Sequence, residues 1–307
     1  MRSDLPLESL AAQGESTSLV AAWLDLTKSR IATMVVLSAF VGGLLSAAPE
    51  LLWSRAALAA LCVGMVAASS AIFNHTLERD TDRLMHRTRH RPLVTGQVRV
   101  RDALIGASVL GLCGTLGLAL WFNLLSALLA VSTLVAYALV YTPIKRVSTL
   151  NTIVGAVPGA MPPLIAATAL AGYPTSWGWS LFALLFCWQF PHFMAIAWLY
   201  REDYARAGMK MLPAMPGNEG LAGRQALLYG LTGLPISLLP TLHGEAGLVY
   251  AIAALILGAC YVGAAWRFSR REDRPRARML LLVSIVYLPA MFAAMFLDPT
   301  VLAGFHA

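Results

Sequence analysis

Charge is the scarcest resource in this chain. Of 307 residues only 13% are Asp, Glu, Lys or Arg, while 58% are hydrophobic and the mean hydropathy is +0.67. That balance excludes an ordinary soluble enzyme and points to a polytopic membrane protein. Cysteine is scarce too. Cys62, Cys113, Cys187 and Cys260 stand alone inside apolar runs with no CxxC pair, so neither a disulfide framework nor a thiolate metal site is indicated. The net charge of +7 does not imply nucleic acid, because the basic residues lie between apolar runs, where they report membrane orientation. The first twenty residues lack a basic region leading into an apolar core. They read as a loose polar tail (1–20) rather than a cleaved signal or transit peptide, which favours a bacterial inner membrane over a mitochondrial one.

What is present is a series of long apolar runs. Nine are long enough to be taken as transmembrane helices: 22–46, 53–78, 102–121, 124–143, 150–171, 177–199, 225–243, 246–266 and 277–297. They form one all-α domain over 21–300, with a short tail at 301–307. With the N-terminus in the cytoplasm, all of the 23 Lys and Arg except Arg55 fall on the cytoplasmic side, a nearly complete positive-inside asymmetry. Every substantial polar loop then lies on one face. The run GAVPGAMPP, 155–163, is rich enough in Gly and Pro to predict a kinked or broken helix.

Against this background 74–93, NHTLERDTDRLMHRTRHRPL, is exceptional. At about 100° per residue, Asn74, Glu78 and Asp82 stack along one helical face, with Asp80 roughly opposite. An amide and two carboxylates offer hard oxygen ligands to Mg²⁺, which takes few carboxylates and shares substrate phosphates. The arginines that follow suit phosphate oxygens. Four helices later the pattern returns. Glu202 and Asp203 sit where the sixth helix leaves the membrane, and Trp188, His192, Leu199 and Asp203 fall near one face if the helix survives Pro191. Lys145 and Arg146 occupy a short loop on the same side. Two acidic clusters beside cationic loops, above an apolar bundle, suit a lipid-tailed allylic diphosphate whose ionisation delivers a carbocation to an electron-rich acceptor.

Those residues also carry a resemblance. Asn74, Glu78 and Asp82 resemble the NxxxDxxxD motif of the UbiA-type intramembrane prenyltransferase superfamily, with Glu for the first Asp. LTKSR (26–30), RTRHRPL (87–93), YTPIKRVSTLN (141–151), WQFPHF (188–193) and REDYARAGMKMLP (201–213) are similar to segments of its protohaem IX farnesyltransferase (haem O synthase) branch. Ser29 for Pro and His90 for Asn are further departures. The resemblance implies nine helices around a central cavity with a cytoplasmic cap, and Mg²⁺-dependent farnesyl transfer from farnesyl diphosphate to a vinyl group of haem B. Water adds in the same reaction, giving haem O and diphosphate. It implies that Asn74, Glu78 and Asp82 bind Mg²⁺-diphosphate and that Asp203, with Glu202, supports a second metal. Arg87, Arg91, Tyr141, Lys145 and Arg146 would hold diphosphate, Lys145 acting in catalysis. His192 and Trp188 are assigned to the haem cavity, His192 as iron ligand, porphyrin anchor or proton carrier; His75, His86 and His90 are weaker haem candidates. The bilayer and haem A synthase or other oxidase-assembly proteins are the implied partners. A UbiA-type enzyme with another aromatic acceptor, or a haem or cation transporter, is the competing reading.

Overall fold

The computed structural model describes residues 18–47 and 52–305. Residues 1–17 of the expected tail lie outside that range. The chain folds as α1 (Leu19–Leu26), α2 (Ser29–Leu44), α3 (Leu52–Leu77) and two single turns, α4 (Arg79–Asp82) and α5 (Pro92–Thr95). Next come α6 (Val100–Trp121), α7 (Leu124–Val135), a π-helical turn (Ala136–Tyr141), α8 (Thr142–Ile144) and α9 (Asn151–Ala171). The second half holds α10 (Ser176–Leu199), α11 (Arg201–Arg206), α12 (Leu221–Ile236), α13 (Leu239–Leu242), α14 (Leu248–Arg270), α15 (Arg274–Leu297) and α16 (Pro299–Gly304). Among the described residues there is no β-strand.

Eight segments are long and apolar enough to span a bilayer: Trp53–Leu77, Val100–Trp121, Leu124–Ile144, Asn151–Ala171, Ser176–Leu199, Leu221–Leu242, Leu248–Arg270 and Arg274–Leu297. The ninth, expected as one helix over 22–46, is divided. Lys28 adopts a left-handed conformation (φ 51°) between α1 and α2, and the apolar helix left, Ile31–Leu44, covers only about 21 Å at 1.5 Å per residue. At the other terminus α16 carries the chain through Gly304 with Val301 buried, into the stretch expected as a tail.

In lipid, helices associate through close packing of small residues more than through interhelical hydrogen bonds, which average about 0.6 kcal/mol. The face of α6 toward α3 follows that rule: Ala103, Ala107, Gly111, Gly114 and Gly117 are buried, with one hydrogen bond from Ser69 Oγ to the Ala107 carbonyl, 2.7 Å. Their opposite face carries exposed leucines such as Leu112, Leu116 and Leu120, as a lipid-facing surface requires. The Gly/Pro-rich α9 is not broken; it continues through Pro158, Pro162 and Pro163. Burial on most of its surface holds it. A Cβ on Gly42 of α2 would lie 2.5 Å from the Pro163 carbonyl oxygen, and Gln189 of α10 donates to the Ala156 carbonyl at 2.8 Å. Glycine and proline here serve contact between helices.

The polar loops gather at one end of the bundle. Lys210 N donates to the Lys145 carbonyl (2.7 Å), Asn151 Nδ2 to the Lys210 carbonyl (2.8 Å), and Gly223 N to Glu272 Oε1 (2.7 Å). The opposite end is closed by Ser46–Thr175 (2.8 Å) and by Asp298, which caps α16 and accepts from Gly247 and Tyr250 of the α14 start.

Candidate active site

α3 ends at Leu77, and Glu78 leaves helical geometry (φ −95°, ψ 2°). The four-residue steps nevertheless persist, because Glu78 N bonds the Asn74 carbonyl (2.9 Å) and Asp82 N the Glu78 carbonyl (2.8 Å). Asn74, Glu78 and Asp82 are 0%, 5% and 1% exposed, which for two carboxylates demands partners. Each member of the row receives a separate cation. Lys28 Nζ donates to Asn74 Oδ1 (2.8 Å), Lys145 Nζ to Glu78 Oε1 (2.7 Å) and Arg91 Nη1 to Asp82 Oδ2 (2.6 Å). The Asn74 amide also donates to Thr142 Oγ1 (3.1 Å).

Three half-buried cations against two buried carboxylates leave an excess of positive charge, and the titration of the groups reflects it. Burial, with Lys145 and Arg91 close by, lowers the Lys28 ammonium to about 7. Burial would raise the Glu78 carboxyl, but Lys145 and Lys28 outweigh it and hold the group below its ordinary value. At Asp82 burial prevails over Arg91 and the carboxyl is raised. Burial would lower Lys145; Glu78 overrides it and raises the group. A polyanion entering here would relieve like-charge crowding. The metal question turns on the donors. Among the described residues Asp82 Oδ1 is buried without a hydrogen-bond partner, which leaves an oxygen donor open to a ligand. Among the described residues no group of three His, Cys, Asp or Glu forms a closed cage. The row therefore fits Mg²⁺ shared with substrate phosphates, and does not fit an all-protein metal centre.

Asp203 stands across from this row. It accepts from the backbone N–H groups of His86 and Arg87, both at 3.4 Å, and pairs with Arg206 at 2.7 Å, tying the loop after α4 to α11. Glu202 turns outward, 82% exposed. Asp80 is likewise exposed, beside Arg79. Arg87 lies over the rings of Tyr200 and Tyr204, 5.0 and 5.9 Å away. Arg146 donates to the Leu77 carbonyl (3.2 Å) and so finishes α3 instead of entering the row. Tyr141 supports Lys145, whose Nζ lies 4.4 Å from the ring centre. The π-helical turn re-aims that ring, and only a glycine at 155 admits it, since a Cβ there would meet the ring at 2.5 Å.

α10 passes through Pro191 unbroken. His192 stacks on Trp188 (5.0 Å, 24°), and both attach to α15 at Ser284: Trp188 Nε1 donates to its carbonyl (2.9 Å) and His192 Nδ1 lies 2.7 Å from its Oγ. The single hydroxyl proton of Ser284 goes to the Leu281 carbonyl at 2.6 Å. In the Nδ1–H tautomer His192 donates to Ser284, and Nε2 keeps the lone pair. His75 is buried with both ring nitrogens unpartnered, while His86 and His90 are exposed. The residues sequence reasoning missed are Lys28, Thr142 and Ser284. For Lys28 the one available signal was its place in LTKSR.

Eight helices long and apolar enough to span a membrane, with carboxylates buried at one end and a cation on each member of the row, define the class: a multi-pass membrane protein with a charged site at one end of its bundle. The comparisons agree. Residues 35–297 match the family model described as the UbiA prenyltransferase family, and the chain belongs to that family. It is a transferase. It is 40% identical to protoheme IX farnesyltransferase of Koribacter versatilis over 92% of this chain and 95% of that protein. It is also 40% identical to the enzyme of the same name from Solibacter usitatus, over 90% and 98%. Among solved structures, digeranylgeranylglyceryl phosphate synthase superposes with a TM-score of 0.74 at 16% identity, covering 94% of this chain and 99% of that one. A UbiA homologue from Archaeoglobus fulgidus bound to GPP and Mg²⁺ gives 0.64 at 19%, covering 90% and 100%. These last two establish the shared fold.

Proposed function

We propose that this protein transfers the farnesyl group of farnesyl diphosphate to a vinyl group of haem B, with addition of water, releasing haem O and diphosphate. The observation that carries the reading is the buried row Asn74–Glu78–Asp82 with a separate cation on each member, in a chain whose relatives are protoheme IX farnesyltransferases.

Lys28, Lys145 and Arg91 bind the diphosphate and take up the charge that grows on its bridging oxygen as the C1–O bond breaks. Mg²⁺, held by Asn74, Glu78 and Asp82 and across the site by Asp203, would supply further neutralisation of that charge. Buried apolar helices exclude water from the allylic cation until the acceptor reaches it. The terminal vinyl carbon bonds to farnesyl C1, water adds to the neighbouring carbon, and a proton leaves, which gives a hydroxyethylfarnesyl substituent. We assign His192, held by Ser284 through Nδ1, to the porphyrin as iron ligand, anchor or proton carrier. We further assign the chain to a bacterial inner membrane with its N-terminus cytoplasmic, where haem A synthase or oxidase-assembly proteins would receive the product.

The test is reconstitution with farnesyl diphosphate, Mg²⁺ and either haem B or a phenolic acceptor, with products identified by mass. Farnesylated, hydrated haem is the expected product. Prenylation of the phenol with none of the haem overturns the acceptor assignment, and labelled haem crossing proteoliposomes without diphosphate release overturns the reaction.

A further inference from the structure

A second polar site opens beside the first, at the cytoplasmic end of the α10–α15 seam. It is a cleft of about 280 Å³ whose lining includes Trp198, Leu199, Arg201, Asp203, Arg206 and Arg274. The diphosphate reading uses Asp203 at its edge and leaves the cleft itself unexplained.

Its cations differ in availability. Arg206 is engaged by Asp203. Arg201 is held flat over Trp198, 4.2 Å from the ring, with Nη1 donating to the Trp198 carbonyl (3.0 Å). Its contact with Glu202, at 3.5 Å and with that carboxylate 82% exposed, neutralises little. Arg274 makes no ion pair or hydrogen bond among the described residues. Arg274 is thus free to receive an anion, and Arg201 keeps the N–H groups that its contacts with Trp198 and Glu202 leave open. A diphosphate is a poor match, because Glu202 and Asp203 line the same cleft and would repel a dense polyanion. Two separate, singly charged carboxylates suit the two arginines well, since guanidinium groups pair with carboxylates in bidentate fashion.

The position of the cleft points the same way. The cleft lies at the end of the α10–α15 contact in which Ser284 of α15 holds His192 and Trp188 of α10. His192 and Leu199 are seven residues apart, two turns on one face and about 10 Å along the axis. An amphipathic ligand with two carboxylates on one edge of an apolar ring would place the acids at the water interface and the ring beside His192. Resting on the proposed function, we infer that Arg201 and Arg274 bind the two propionates of the haem acceptor, fixing which edge of the porphyrin, and so which vinyl groups, enters the bundle.

The experiment compares haem B with its dimethyl ester, in wild type and in Arg201→Gln/Arg274→Gln, by Soret titration and by turnover. Losing one charge-assisted bond weakens binding by about tenfold. The double variant should raise both Kd and KM for haem B by at least that factor, leave KM for farnesyl diphosphate unchanged, and bind the dimethyl ester as wild type does. Unchanged haem affinity, or equal weakening toward acid and ester, overturns the assignment. A lipid headgroup competes for the same chemistry. Loss of binding to phosphatidylglycerol vesicles with unaltered haem affinity would give the arginines to the lipid and overturn the proposal. Wild type that binds haem with this arginine dependence but never farnesylates it would keep the subsite and defeat the proposed reaction instead.

Discussion

Lys28 carries the heaviest constraint of any single residue in the site. A left-handed backbone at a non-glycine residue costs about 1 kcal/mol or more, and here it aims the side chain at Asn74. Replacing it by Met removes one of three half-buried cations. KM for farnesyl diphosphate should rise about tenfold with little change for the acceptor; an unchanged KM in a kinetic assay removes Lys28 from the site. At Ser284 the expected loss is of orientation. Ser284→Ala frees the His192 ring to rotate, so acceptor turnover should fall while the farnesyl diphosphate KM stays put, and Ser284→Thr should restore it. The acidic row was legible in the sequence because spacing, charge and an apolar background coincide at 74–82. Lys28 and Ser284 were not, since their roles depend on a backbone turn and on a helix distant in the chain. The outward turn of Glu202 and the capping role of Arg146 were equally hidden, because neighbouring residues share a spacing argument and only side-chain direction separates them.

At the scale of elements, apolar length alone located the eight spanning helices between α3 and α15 within a few residues, and none of the short helices at their ends. Two departures were invisible to it: the break at Lys28, and the π-helical turn at Ala136–Tyr141. Both bring a side chain to the site, and neither alters the hydropathy. The continuity of α9 also ran against its Gly and Pro content, since neighbouring helices supply what the backbone lacks. Gly155→Ala should show the value of that contact. The added methyl meets Tyr141 at 2.5 Å, so overpacking of about 1–3 kcal/mol should appear as a lower melting temperature together with weaker farnesyl diphosphate binding. At the far end Asp298 accepts backbone N–H groups from Gly247, Tyr250, Thr300 and Val301. Burial would raise its carboxyl, but these donors together lower it below 3.8. Its stabilisation is therefore full above pH 3.8 and is lost as pH falls through the lowered value. Asp298→Ala should cost about 2–4 kcal/mol near neutrality, a deficit that narrows in acid; a constant deficit down to pH 3 contradicts the cap.

The whole molecule separates its ends. One gathers the cationic loops, the oxygen donors and the two polar sites; the other is closed by small caps and, among the described residues, holds no Lys or Arg beyond Arg55 beside the acids Glu245 and Asp298. That asymmetry favours an enzyme served from one face over a conduit needing access from both, and it was readable from loop charge. The central claim is that the Asn74–Glu78–Asp82 row binds diphosphate with a metal. The most direct measurement is equilibrium binding of labelled farnesyl diphosphate to the purified protein, with Mg²⁺ and with the metal chelated, in wild type and in Asp82→Asn. Tight binding is expected only with metal in wild type, with its loss in the variant despite an unchanged melting temperature. Equal binding without metal, or full metal-dependent binding by Asp82→Asn, would contradict the claim.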